Sequence, residues 1–190
     1  NEEYGIHEGE RDQAVSRTLQ QAGIHWDSHL EQLFFKPGSV LTKTGTYFKV
    51  FSQFRKVCYN RMHSAMPPLV RLPKKQQALE IQSDDVPRQV EGCATPSKTL
   101  IALWPAGEEE ARRRLATFSD QQIDYYKDER DLPAKPGTSQ LSAYLAAGVI
   151  SPRQCLHAAL SSNHGEFETG SVGAVTWINE LIWREFYKHI

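Results

Sequence analysis

Trp177, Glu180, Trp183, Arg184 and Tyr187 are the residues whose types and spacing are best suited to chemistry, and all lie within the run Trp177-Ile-Asn-Glu-Leu-Ile-Trp-Arg-Glu-Phe-Tyr-Lys-His-Ile190. At roughly 3.6 residues per turn, a helix here places Trp177, Glu180, Arg184 and Tyr187 on one side, with Trp183 at its border. Such a face is aromatic and charged at once. It suits a flat, partly polar ligand, because rings supply stacking area while a carboxylate and a guanidinium supply oriented hydrogen bonds. The same spacing permits a plainer reading, in which Glu180 and Arg184 form an i to i+4 ion pair beside core tryptophans. This stretch by itself leaves both open.

A second candidate is Gly137-Thr-Ser-Gln-Leu-Ser142, a run of hydroxyl groups following Pro136 at the mouth of a predicted helix. Backbone N–H groups at a helix N-terminus, joined by Thr and Ser hydroxyls, can hold an anion such as phosphate. Simple capping by Thr138 or Ser139 is the alternative, and spacing alone favours it. Just upstream, Tyr125-Tyr-Lys-Asp-Glu-Arg-Asp-Leu-Pro133 mixes rings with charge, leaving Arg130 either to pair with Asp131 or to meet a phosphate. Between Glu31 and Glu80 there is no acid, while Lys36, Lys43, Lys49, Arg55, Lys56, Arg61, Arg71, Lys74 and Lys75 are basic. Basic residues interleaved with aromatics can track a phosphate backbone, although a solvated helix face followed by a polar linker accounts for them equally well. No Walker loop, G-x-G-x-x-G, Ser-His-Asp order or metal-ligand cluster is present. His25 and His29 fall in a segment that reads as a strand, so they are expected at the surface rather than on one ligating face.

The elements that must position these residues are mostly helices. Helical spacing runs from Glu8 to Ala22, with Gly23 as its stop. Ile24 to His29 alternates like a short strand, and Leu33 to Gly38 ends in a turn signal. Tyr47, Phe51, Phe54 and Cys58 define an amphipathic helix that Pro67-Pro68 brings to an end. From about 67 to 98 the chain holds five prolines and no clear period, and reads as a linker. Beyond it, Glu108 to Phe118 carries acids first and arginines later, the order the helix dipole favours. Ser139 to Ala147 reads as a helix closed by Gly148; Ser151-Pro152 caps and opens another to about Leu160. A polar loop from Ser161 to Gly170 then precedes the last helix, Val172 to Ile190. A helix and a strand at the start, then helices only, predict a mainly α protein that begins with a remnant of an α/β domain.

With 190 residues, 39% hydrophobic and 24% charged, the chain can bury one good core or two modest ones. A net charge of −1 gives no overall support for nucleic-acid binding but does not preclude a local basic surface. No apolar stretch approaches a membrane span and no signal peptide opens the chain, so a cytoplasmic location without membrane contact is expected. Cys58, Cys93 and Cys155 are widely spaced and are expected to be buried free thiols. The chain opens without methionine and closes in mid-helix, which is read as the cut ends of a longer protein.

Three segments in order, Gly137-Thr-Ser-Gln-Leu-Ser142, Gly148-Val-Ile-Ser-Pro-Arg-Gln-Cys155 and Trp177 to Tyr187, resemble the photolyase and cryptochrome family, above all bacterial class I cyclobutane pyrimidine dimer photolyases. The resemblance extends upstream through Tyr4-Gly-Ile-His-Glu8, Lys36-Pro-Gly-Ser-Val-Leu41 and Tyr47 to Phe54, and is weakest from about 67 to 100. It implies a Rossmann-like antenna domain ending within residues 1–40, an interdomain helix and linker over 41–100, and the start of an all-helical FAD-binding domain over 101–190, cut at Ile190. It also implies a monomeric lyase that uses blue light and reduced FAD to split pyrimidine dimers in DNA. Tyr126, Thr138, Ser139, Gln140, Leu141, Ser142, Trp177 and Arg184 would hold FAD. Glu180 would hydrogen-bond the lesion bases and Trp183 would stack on them; Arg130, Arg184 and Tyr187 would join them in contacting DNA. His7 and Glu8 match the grip on a methenyltetrahydrofolate antenna, although His7 stands where the bacterial folate pattern has Asn. Gln140 likewise stands where Arg is common. The acids facing the flavin and the tryptophan electron-transfer chain would lie beyond Ile190, so the fragment alone is expected to be inactive. A cryptochrome-type photoreceptor, binding FAD without repair, is the alternative; a helical adaptor with no cofactor is a third.

Overall fold

The computed structural model describes residues 2, 4–71, 74, 77, 80, 82, 84–87 and 89–190, and among these there are helices, turns and coil but no strand. Helix α1 spans Ile6–Gln21 and buries none of its residues. Gly23 ends it with φ +69°, where Ile24 N–H reaches back to Leu19 O at 2.9 Å. The expected strand from Ile24 to His29 does not form. The segment is coil, and among the described residues no second strand lies beside it to pair alternating N–H and C=O groups. It is tied instead to the chain start, across the length of α1: Glu2 N–H donates to His29 O at 2.9 Å, and Ser28 Oγ donates to Glu2 Oε1 at 2.7 Å.

The second helix, α2, covers Phe51–Ser64 and buries Phe54, Cys58, Tyr59 and Met62. It begins later than the apolar spacing predicts, because Val50 is extended, and Tyr47 is left 57% exposed. Much of the expected linker has described residues without helix, whereas Lys75 in that stretch lies outside them. A helix not expected from the sequence, α3, occupies Lys98–Leu103, its first turn capped by Ser97 Oγ accepting from Leu100 N–H at 3.1 Å.

Helix α4 spans Glu108–Gln121, followed by a 3-10 turn at Ile123–Tyr125 and the short α5 at Tyr126–Glu129. Helix α6 covers only Ser142–Ala146. Gly137 to Leu141 of the hydroxyl run therefore stay outside as loop, only Ser142 entering the helix, and neither Thr138 nor Ser139 caps it. Helix α7, Pro152–Ser162, has the predicted Ser151 cap, completed by Gln154 into a capping box. The loop after it is organised by buried Asn163, whose Nδ2 donates to Glu166 O and Thr169 O at 2.7 Å each.

Helix α8, Val172–Lys188, is the centre of the assembly: it packs on α2, α5, α7 and the 3-10 turn, while α4 packs on α7. Gly173 near its start lies against the carbonyls of Ile123 and Asp124, so close that any side chain would collide with backbone. Burial of Leu115, Phe118, Leu156, Ala159, Ala174, Ile178, Leu181 and Ile182 forms the core between these helices. Cys58 and Cys155 are buried as expected; Cys93 is exposed, because it sits in a turn outside every helix. Among the described residues no helix is long and apolar enough to cross a membrane, and no group of His, Cys, Asp or Glu could hold a metal ion.

Candidate functional site

The charged and aromatic face expected on α8 is divided by its neighbours. Trp177 is 4% exposed, its ring tilted 51° against Phe118 of α4 with centroids 4.7 Å apart. Arg184 reaches back to residue 32, donating to Gln32 O and, at 2.6 Å, to Gln32 Oε1. What stays open is a narrower strip of Thr176, Glu180, Trp183 and Tyr187, stepping three or four residues at a time. The expected i to i+4 partners are thus engaged elsewhere, Glu180 with Arg130 and Arg184 with Gln32, while Trp177 is a core residue as the plainer reading expects.

Glu180 is engaged by Arg130, whose Nη1 donates to Glu180 Oε1. Arg130 stands at the end of α5, with its Cζ 5.8 Å from the centre of the Tyr126 ring and its Nε 3.7 Å from Asp131 Oδ2. The hydrogen bond to Glu180 pushes the Arg130 ionisation upward, and burial, reinforced by the Glu180 charge, raises that of the Tyr126 phenol. An acid, a cation and a ring from two elements therefore meet at one edge of the strip.

Trp183 is partly buried and lies face to face with Phe51 of α2, at 3.6 Å between centroids and 7° between planes. Phe186 meets it edge-on at 5.7 Å, and Tyr187, 64% exposed, lies near-parallel at 5.6 Å. Phe51 was legible in the sequence only as one apolar position of α2.

The hydroxyl run forms a separate hollow of about 170 Å³, lined by Thr138, Ser139 and Gln140 together with Arg113, Arg114, Thr117, Gln122 and Pro136. Gln140 has φ +51°, an uncommon conformation for a residue with a side chain. Arg114 donates to Gln140 Oε1 at 2.9 Å, to Leu103 O at 2.6 Å and to Glu110 at 2.7 Å, fixing its guanidinium beside the hollow. Leu141 is buried beneath the run and Ser142 is exposed. Two guanidinium groups, both paired with Glu110, stand with hydroxyls and an amide around the hollow, residue types of the kind that bind phosphate. The two arginines were read in the sequence only as helix-dipole charges. Trp177 and Arg184 do not line this hollow. His7 and Glu8 are exposed on α1, His7 Nδ1 lying 3.8 Å from Glu10 Oε2.

A helical assembly with an aromatic and charged strip beside a phosphate-suited hollow is the class of structure present here. Residues 1–74 match the family described as DNA photolyase. It is 36% identical over its whole length to the deoxyribodipyrimidine photo-lyase of Vibrio cholerae and 35% identical to that of Escherichia coli, covering 40% and 39% of those proteins. Among solved structures it superposes on a class III photolyase from Agrobacterium tumefaciens with TM-score 0.82 at 29% identity, covering 100% of this chain and 39% of that one. A Synechocystis cryptochrome shares the fold, with TM-score 0.63 at 19% identity over 99% of this chain and 40% of that one. The chain thus spans about two fifths of the length of the relatives it matches.

Proposed function

We propose that the protein is a deoxyribodipyrimidine photo-lyase of the bacterial class I type, which repairs cyclobutane pyrimidine dimers in DNA using light and FAD. The observation that carries this reading is the open strip on α8, where Glu180 stands beside Trp183 with Arg130 within reach. A ring offers stacking area to an extruded pyrimidine dimer, the carboxylate accepts from base N–H groups, and the guanidinium meets a flanking phosphate. Identity of 36% and 35%, over the length of this chain, to proteins named for this activity supports the same assignment.

FAD fits the residues present at its phosphate end. Thr138, Ser139, Gln140, Leu141 and Ser142 would hold the diphosphate with Arg113 and Arg114, while Tyr126, Trp177 and Arg184, outside that hollow, would meet other parts of the FAD. Reduced FAD, when bound, would supply light-driven electron donation for opening the cyclobutane ring, the electron returning to the flavin once the two pyrimidines are restored. This chain's own residues bind and orient: Glu180 fixes the lesion bases, Trp183 supports them by stacking, and Arg130, Arg184 and Tyr187 contribute to the DNA contact. Residues 1–40 would close a Rossmann-like α/β antenna domain, 41–100 connect, and 101–190 open the FAD-binding domain. His7 and Glu8 would meet a methenyltetrahydrofolate antenna. The protein would act as a cytoplasmic monomer on damaged DNA.

The test is Glu180→Ala in the complete, FAD-loaded protein. The reading expects a lower repair yield with unchanged FAD content. Unchanged repair sinks the role of Glu180, and a protein that binds FAD yet repairs no dimers is a cryptochrome-type sensor instead.

A further inference from the structure

We propose that Phe51 of α2 is a positioning residue for lesion recognition, acting through Trp183; the proposal rests on the reading of Trp183 as the lesion-stacking wall. Three rings hold that tryptophan. Phe51 lies parallel to it at 3.6 Å and 7°, Phe186 presents an edge at 78°, and Tyr187 lies at 23°.

The Phe51 contact differs in kind from the other two. Parallel rings 3.6 Å apart are in van der Waals contact, so nothing can insert between them. One face of Trp183 is closed by Phe51, and a base can stack only on indole surface that Phe51 does not cover. Phe186 and Tyr187 belong to α8 itself, whereas Phe51 comes from α2 and fixes the indole from outside. Phe51 is in turn fixed by an edge contact with Phe186 at 6.0 Å and by Arg55, whose Cζ is 5.8 Å from its ring centre. The packing of α2 on α8 therefore decides which face of the wall a lesion meets.

The experiment measures binding of the complete, FAD-loaded protein to an oligonucleotide carrying one thymine dimer and to the same oligonucleotide undamaged. Trp183→Ala, Phe51→Leu and Phe51→Tyr are compared with the parent. Phe51→Leu should weaken binding of the dimer about three- to tenfold, the size of one aromatic pair, while affinity for undamaged DNA and FAD content stay unchanged. Phe51→Tyr, which keeps the ring, should restore affinity. Should the leucine variant not fold, Phe51→Met carries the same expectation. Parental dimer affinity in Phe51→Leu, with Trp183→Ala weakened, overturns the role of Phe51. An equal loss toward damaged and undamaged DNA overturns it too, marking Phe51 as scaffold. Undiminished affinity in Trp183→Ala removes the wall itself and the proposal with it.

Discussion

Glu185 on α8 accepts hydrogen bonds from the backbone N–H groups of Phe34, at 3.0 Å, and Phe35, at 2.8 Å, 151 and 150 residues earlier in the chain. The carboxylate is 1% exposed and has His189 Nε2 at 3.3 Å. Beside it, Arg184 holds Gln32. Two consecutive residues of the last helix thus fasten the segment that precedes α2, and with it the approach of α2 to Trp183.

Replacing Glu185 by Ala leaves two backbone donors without their acceptor in a dry site. A loss of about 3 kcal/mol is expected, because an unmet buried donor costs more than a hydrogen bond normally contributes. The shift in denaturation midpoint of the complete protein measures it, and a shift below about 1 kcal/mol would contradict the role given to this carboxylate.

The ion pair of Arg130 with Glu180 has side chains 28% and 38% exposed, so it contributes little to the fold. Arg130→Ala is expected to change stability by less than about 1 kcal/mol. If Arg130 meets a phosphate, the same change lowers DNA affinity for every sequence and reduces the salt slope, which a titration at several salt concentrations reads directly.

Acidic conditions should loosen the wall of the hydroxyl-lined hollow. Hydrogen bonds from Arg113 and then Arg114 hold the Glu110 carboxyl near pKa 2, down from its ordinary 4.5. A depressed folded pKa means that the stabilisation is present in full above pH 4.5 and disappears as pH falls toward about 2. The difference in stability between the parent and Glu110→Gln should therefore shrink across that window and stay constant above it.

Thiol reactivity should separate the three cysteines. Burial pushes the Cys155 thiol up to about 12 and raises Cys58 as well, whereas Cys93 is exposed. Alkylation of the native protein followed by peptide mapping should mark Cys93 and leave Cys58 and Cys155 unlabelled until denaturation.

DNA affinity should depend strongly on salt despite the near-neutral total charge, because Lys36, Lys43, Lys49 and Lys56 are all exposed in a stretch without acids. Changing Lys49 and Lys56 to Ala should lower the slope of log affinity against log salt by about 0.9 for each duplex phosphate no longer neutralised. An unaltered slope would place the DNA surface elsewhere.

The helices around the site were legible because their signals are local. The Ser151 cap with Pro152, the acid-to-arginine order of α4 and the apolar period of α8 each act within a few residues. Ile24 to His29 misled because alternation specifies a strand only when a second strand is there to pair with it. The start at Ser139 misled because hydroxyl residues cap as readily as they form loops, and here Arg114 and the strained Gln140 hold the run open.

By itself the sequence determined the residue types of the candidate site, their order along the chain and the helices that carry them, because propensity, capping and periodicity are short-range. Only the tertiary structure decided which of those residues face one another. Helix α8 is covered by α2, α5 and α7, so its single predicted face split into buried Trp177, tethered Arg184 and the open pair of Glu180 and Trp183. Arg130 reached Glu180 across 50 residues, and Phe51 closed one side of Trp183 from another helix. Those partners are fixed by packing between distant segments, which no spacing within one helix encodes.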